Sequence, residues 1–537
     1  VTSVFTAFSS MRLASPWAPI GRIFACFFLT LAWSCVPTAH AHEVTPEQAA
    51  GKGYVFIYFP KRLGVLEVRP VSGGSTVKLR QREGAGGRAF GAWLAPGEYR
   101  LSNWDTYPWG DYASFRVEAG RVTDLGSLMP YNIGGYQEVV LPLRAAENAH
   151  VVDEVFKQYG SLLTSTDPIT WTPTSVPQPI QLTQGYTGLG LIADMLMAHD
   201  RKVNKPSTIA QLKGATSTEE FLHLARSVTA PLYIHPAQDP GGNFYFGADL
   251  GQIRIRHADG NWSGIGMDTL HSLSAVAYVD GVLYAGSDDG VLRSSADGGQ
   301  TWHDVRSFGK DQAIIDIEHE DTTWIVTTAH QLLTDNGAVR PDEMTVYTTQ
   351  QGGLDALEKS REFLLEKKLL GWVGAMGQLV HGSYFISTHD GLYRYDLAPR
   401  QWKTVTPPSN ITTFHVDPAT GVVSTLLSKG AFSKVFISSD KGDSWKGVKR
   451  PPYLIADVQF DNPTKGYAIR AESGAFKVTW EIYTYDASAD DWIQESKAPP
   501  LCVPQRVSAS LPVYCIASDG SILSKRGNDW NVEFSAQ

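Results

Sequence analysis

The chain has 537 residues, 43% of them hydrophobic and 19% charged, a balance that suits globular domains and excludes a largely disordered chain. Its 46 Lys and Arg against 55 Asp and Glu give a formal net charge of −9, and no basic run stands out, which argues against binding nucleic acid or anionic membrane through charge. The length allows more than one domain.

In chain order, the first segment reads as an export signal. Arg12 and Arg22 precede an apolar stretch from Ile23 to Trp33, and Ala39-His40-Ala41 follows, the charged, apolar and small-residue order of a secretory peptide cleaved after Ala41. A second reading takes Leu31-Ala32-Trp33-Ser34-Cys35 as a bacterial lipobox, with a lipid anchor at Cys35. Both readings place the chain outside the cytoplasm, in the periplasm or cell envelope. Removing residues 1–41 leaves Cys502 and Cys515, expected to form a disulfide. No C-x-x-C pair exists to suggest structural zinc, and no metal or cofactor is expected. No other segment is long and apolar enough to span a membrane as a helix.

Residues 42–145 read as an all-β domain. Tyr54 to Phe59, Gly64 to Val68, Thr76 to Leu79 and Ala113 to Val117 are short β-branched or aromatic runs, punctuated by Gly73-Gly74, Gly84 to Gly87 and Pro96-Gly97. Ala95-Pro96-Gly97-Glu98-Tyr99-Arg100-Leu101, with Phe115 to Gly120 and Val122 to Gly126, resembles small β-sandwich modules of bacterial envelope proteins, several of them lipoproteins. Residues 146–228 read as a helical connector. Glu147 to Leu163 and Leu191 to Val203 have helical spacing, and Ser217-Thr218-Glu219-Glu220 reads as a capping box with Phe221, Leu224 and Ala225 on the buried face.

From residue 229 to 537 the chain repeats. Tyr284 to Ser294, Phe385 to Tyr395 and Tyr514 to Leu523 share a strand, Asp-Gly-like turn, strand pattern, and Tyr245 to Ile253 is a looser copy. Each runs on to a Trp in the series Trp262, Trp302, Trp402, Trp445, Trp492 and Trp530. The spacing matches blades of about 40–45 residues and hides one Trp-less blade near Ala313 to Thr349. Seven blades are expected, with Leu354 to Leu370 as a helical surface insertion.

Two segments follow S-x-D-x-G-x-[ST]-W without a mismatch: Ser295, Asp297, Gly299 and Trp302 in one, Ser438, Asp440, Gly442 and Trp445 in the other. This pattern resembles the Asp-box, or BNR repeat, of sialidase-like β-propellers. The resemblance implies a mainly β fold, a seven-bladed propeller after the β-sandwich and connector. It also implies that Asp-boxes lie on third-to-fourth-strand hairpins, away from the ligand face. The second-to-third-strand turns would then carry the ligand-face candidates Asp288, Asp289, His389, Asp390 and Asp519, although Asp-Gly is also ordinary hairpin chemistry.

Sialidase chemistry would need a Tyr–Glu pair, an acidic Asp and three Arg on the substrate carboxylate. At the position of the family's Phe/Tyr-Arg-Ile-Pro strand stands Ile253-Arg254-Ile255-Arg256, with Ile for the aromatic and Arg for Pro, and it reads as an alternating strand with both Arg outward. His42 has no second His before His150 to complete a copper site, and no G-x-S-x-G elbow or phosphate loop occurs. The expectation is an exported, non-catalytic binding or assembly module of the bacterial envelope, with a protein or glycan partner. The alternative is a carbohydrate-active hydrolase with an acidic pair on the propeller face.

Overall fold

The computed structural model describes residues 45–534 apart from 60–65, 82–88, 105–106, 109–113, 133–136, 144–148, 172–179, 184–206, 233–235, 334–338, 350–351, 366–376, 389–390, 453, 474–477, 501 and 518–520. The export signal with Cys35, the helix expected over Leu191 to Val203, and His389, Asp390 and Asp519 lie outside the described residues. No helix among the described residues is long and apolar enough to cross a membrane. Chain contacts divide at residue 229 into two compact units.

In the first unit, strand Gly53–Tyr58 is buried along its whole length, because both of its faces are covered. One face sends Val55 and Ile57 into a cluster with Leu66, Val68, Leu101, Phe115 and Val117, which come from a second sheet. The other face sends Tyr54, Phe56 and Tyr58 against Val151 and Val155 of helix α1 (Ala149–Tyr159). A strand covered on both faces needs a continuous apolar run rather than alternation. Gly53–Tyr58 pairs antiparallel with Ala89–Leu94 and parallel with Val122–Asn132. The stretch read as a helical connector contributes strands too: Ile169–Thr170 pairs with Val122–Asn132, and Ile180–Thr183 with Gln137–Pro142. Ser217 caps a helix over Thr218–Ser227 by accepting from the Glu220 N–H. The Glu220 carboxylate closes on Thr216 instead of Ser217, so the expected capping box forms half at one residue and half at its neighbour. Phe221 is fully buried and meets Tyr131 edge-on.

The second unit is a succession of four-stranded antiparallel sheets, spanning residues 237–266, 273–307, 312–364, 377–404, 413–448, 455–497 and 503–534. We number these sheets 1 to 7. Each apolar cluster between them draws on two successive sheets: Ile253 with Leu283 and Ala285, Leu292 with Ile314, Met344 with Ile386, Leu392 with Val423, Leu426 with Val458, and Ile482 with Val513. The last cluster joins Phe244 and Phe246 of sheet 1 to Leu511, Tyr514 and Ile522 of sheet 7. Sheets with two apolar faces, each covered by the next and the last by the first, make a closed β-propeller ring.

The repeated Trp binds the ring between sheets. Nε1 of Trp445 donates to Val405 O (3.0 Å), Trp492 to Lys449 O (2.7 Å) and Trp530 to Lys497 O (3.1 Å), in each case reaching the end of the preceding sheet's fourth strand. Trp402 donates to Ser360 Oγ (3.1 Å). Trp262 of sheet 1 donates to Glu533 of sheet 7 (3.3 Å), so the same contact closes the ring. Trp302 packs its ring into the seam between sheets 1 and 2, and its N–H has no partner among the described residues.

Two expectations are corrected. The described part of the expected insertion Leu354 to Leu370, residues 354–365, is not helical: Leu354–Ala356 is a single 3-10 turn, and Glu358–Leu364 is the fourth strand of sheet 3, paired with Val339–Thr348. Its charges alternate on an outer strand whose Arg361 lies over the rings of Phe363, Tyr393 and Trp402, which imitates helical mixing in the sequence. Arg254 and Arg256 do not point outward. Arg254 is buried and donates to Thr229 O (2.7 Å), while Arg256 forms a two-pronged pair with Glu533 at 3.1 and 3.2 Å. The ring supplies partners that strand alternation cannot foresee. Cys502 and Cys515 form a disulfide between buried sulfurs with Cα atoms 5.2 Å apart, in sheet 7.

Glu533 holds both Arg256 and Trp262 across the closing seam, with only 5% of its side chain exposed. Glu533→Ala strands a buried guanidinium and is expected to cost about 3 kcal/mol in equilibrium urea unfolding. The double variant Glu533→Ala with Arg256→Met is expected to recover part of that loss.

Candidate functional site

Antiparallel meanders alternate their turns between two ends. In the propeller the third-to-fourth-strand turns therefore lie at one end, and the second-to-third-strand turns at the other, together with the connections between sheets. The two S-x-D-x-G-x-[ST]-W hairpins occupy the first end. Asp297 accepts from Gln300 N and Thr301 N (both 2.9 Å) and from Thr301 Oγ1 (2.6 Å), while Ser295 Oγ donates to it and accepts from Gly299 N. Asp440 repeats the arrangement with Ser438, Ser444 and Gly442. Gly299 and Gly442 adopt φ of +92° and +86°, and a Cβ there would strike Ile265 and Val405 of the preceding sheet. Glycine is thus required twice over, for conformation and for the approach of the hairpin to its neighbour.

Both Asp carboxylates are engaged by hydrogen bonds within their own hairpins. The Ser444 hydroxyl, then Ser438 and the Ser444 N–H, hold Asp440 down to about 2, and Thr301 leads the same effect at Asp297. A depressed carboxylate stabilises the fold above its unfolded value, near 4, and ceases to do so as pH falls through the folded value. The stability gap between the native chain and Asp440→Ala, measured by thermal unfolding, is expected to be present at pH 6 and to close between about pH 4 and pH 2.

The opposite end carries a different chemistry. Asp288 and Asp289, in the second-to-third-strand turn of sheet 2, converge on His271, which lies in the connection from sheet 1. Nδ1 is 2.9 Å from Asp288 and Nε2 is 3.4 Å from Asp289. Next to them Ser272 Oγ donates to Asp249 (2.7 Å) in the corresponding turn of sheet 1. In sheet 3, His330 stands between Asp311 (3.2 Å) and Asp342 (2.6 Å). The sequence singled out Asp288 and Asp289 but missed His271, Asp311, His330 and Asp342. They are separated by 12 to 19 residues, and only the fold brings such positions together.

A carboxylate pair also exists along the first strand of sheet 3, yet it faces a neighbouring sheet. Asp316 is buried and accepts from Tyr384 Oη (2.8 Å), which also exchanges a hydrogen bond with Thr327 Oγ1 (2.5 Å). Glu318 accepts from Leu379 N and Glu320 from Gly382 N, both in sheet 4. Burial pushes Asp316 up to about 7 and Glu318 well above the usual carboxylate range, the Asp316 charge adding to the latter. Gly377 permits this approach, since a Cβ there would overlap Tyr384 Oη and Asp316 Oδ2. Asp316 thus sits in the seam between two sheets, without the open cleft a sugar ring would need beside a catalytic pair.

Hydrogen bonds donated by His330 to Asp311, then to Asp342, raise its imidazole to about 10, and His330 in turn lowers Asp311. A raised imidazole favours the fold fully below its unfolded value, near 6.5, and that contribution fades as pH climbs towards the folded value. The His330 imidazole is expected to stay protonated at pH 8 in a side-chain NMR titration. Asp342→Asn is expected to bring its titration down towards neutrality.

No family model matches this chain, and no curated protein matches it. Among solved structures, YCF48 bound to a D1 peptide is 11% identical, with 56% of this chain and 92% of that chain covered at a TM-score of 0.38. YCF48 from Cyanidioschyzon merolae is 14% identical, covering 55% and 97% at a TM-score of 0.38. The computationally designed Ika8 protein is 14% identical, covering 55% and 95% at a TM-score of 0.33. These are distant likenesses, and the propeller is established by its own sheets and the seam that closes them.

Proposed function

We propose that this chain is an exported, non-catalytic binding or assembly module of the bacterial envelope, built as a β-sandwich domain followed by a seven-bladed Asp-box propeller. The export signal supports the location. The contacts of the first unit's two sheets around one apolar cluster support the sandwich, and each four-stranded sheet reads as one blade.

The observation that carries the binding role is where the chain exposes large apolar side chains. Phe432 is 75% exposed in the second-to-third-strand loop of sheet 5, and Leu364 is 73% exposed at the end of the fourth strand of sheet 3. Both positions fall at the end opposite the S-x-D-x-G-x-[ST]-W hairpins, the end that also carries the His271 and His330 clusters, whereas the exposed Ile493 and Val532 lie on outer strands and Val71 in the first unit. Exposed aromatic and aliphatic residues among paired charges suit a protein partner, which would cover the apolar groups and meet the polar ones. The buried partners of Arg254, Arg256 and Asp316 count against a substrate grip by these groups and so against the hydrolase reading.

The test is co-purification of the full chain from bacterial envelope extracts, with parallel glycan-array binding. Phe432→Glu combined with Leu364→Glu is expected to reduce capture of a specific envelope protein by at least about tenfold, the loss of a hot spot near 1.4 kcal/mol or more. Val532→Glu, on the outer strand of sheet 7, is expected to leave capture unchanged. Glycan binding without protein capture would replace the partner class, and turnover of an oligosaccharide would overturn the non-catalytic reading.

A further inference from the structure

His271 and His330 are each flanked by two Asp, but the two clusters differ in geometry. In both, one carboxylate meets Nδ1 and the other Nε2, but at His330 the carboxylates come from residues 311 and 342, far apart in sequence. At His271 they come from adjacent residues of one turn, and one ligand atom from each of His271, Asp288 and Asp289 lies within 4.8 Å of the others. Among the described residues this is the one His, Cys, Asp and Glu grouping with that convergence.

The surroundings fix these three groups from behind. The Asp288 N–H donates to Ser272 O (3.0 Å), and His271 O accepts from Gly251 N (2.8 Å), so both backbone segments are tied together at the sheet edge. Ser287, fully buried, donates through Oγ to Asp289 and accepts from Arg293 Nη1. Gly290 closes the turn at φ +77°, where a Cβ would strike Gly309 O. Two neighbouring carboxylates are thereby held against one imidazole, with one oxygen of each and one ring nitrogen near enough to meet on a single ion. A hydrogen-bonded second shell orienting an imidazole and two carboxylates is how proteins prepare a first-row metal site.

We infer that His271, Asp288 and Asp289 form a binding site for a divalent first-row cation of the zinc or manganese class, with one imidazole nitrogen and two carboxylate oxygens as ligands. Imidazole with carboxylate suits these ions, and three protein ligands leave positions for water or for a donor group of a partner. The site does not depend on the partner-binding role and is measured without any partner.

The test uses the full chain with Zn²⁺ in isothermal titration and Mn²⁺ in electron paramagnetic resonance. One ion per chain is expected. His271→Gln, which can still hydrogen bond to Asp288, is expected to abolish binding and the nitrogen modulation on bound Mn²⁺, with unfolding temperature compared to verify folding. Ser287→Ala, which removes the hydroxyl that supports Asp289 while leaving all three ligands in place, is expected to weaken binding ~10–100-fold. His330→Gln is expected to leave binding unchanged. Absence of stoichiometric binding by either ion, or equal affinity in a folded His271→Gln chain, would overturn the site.

Discussion

A four-stranded sheet that is apolar on both faces cannot stand in water, and each sheet of the second unit therefore needs two neighbours. A linear stack would satisfy all but its ends. The chain removes the ends by bringing sheet 7 onto sheet 1, with Phe244, Phe246, Tyr514 and Ile522 in the seam and Glu533 joining Arg256 and Trp262 beside it. The rest depends on that closure. The Trp contacts, the Asp-box glycines pressed on the preceding sheet, and the buried Asp316–Tyr384 pair all serve the lateral contact between successive sheets.

That dependence explains the division of labour between the two ends of the propeller. Groups at the Asp-box end are consumed by local hydrogen bonds that set hairpin shape. At the other end, connections from one sheet meet turns of the next, so residues distant in sequence converge, as His271 does with Asp288 and Asp289. Charged groups placed there are held by one another across elements as well as by their own turns. Such an end can present a constant architecture with variable chemistry, the usual arrangement of a scaffold that carries its function on loops.

Local patterns in the sequence were legible where one residue's role is confined to its own hairpin. The Asp-box residues and the Trp series read directly, because turn geometry and a large ring impose recognisable spacing. The disulfide read from a count of two cysteines. Arg254 and Arg256 were misread since their partners, Thr229 and Glu533, lie 25 and 277 residues away. Glu358–Leu364 was misread for a different reason: its mixed charge is suited to an outer strand whose cation lies over neighbouring rings, and no Trp marks it as a fourth strand. His271 and His330 left no signal, for a histidine becomes informative only with its carboxylates in view.

The closing seam has a consequence for the life of the chain before it is folded. Residue 256 must wait for residue 533, so sheet 1 presents an apolar face, and Trp262 an unmet donor, until residue 533 has emerged. Loops of that length are costly to close and slow to find. During synthesis and any passage across a membrane the unfinished ring is an adhesive object, in need of shielding by a chaperone until its two ends meet. The disulfide between Cys502 and Cys515 lies in the sheet that completes the ring. A cross-link there limits the freedom of the unfolded chain in the very segment that must close the ring.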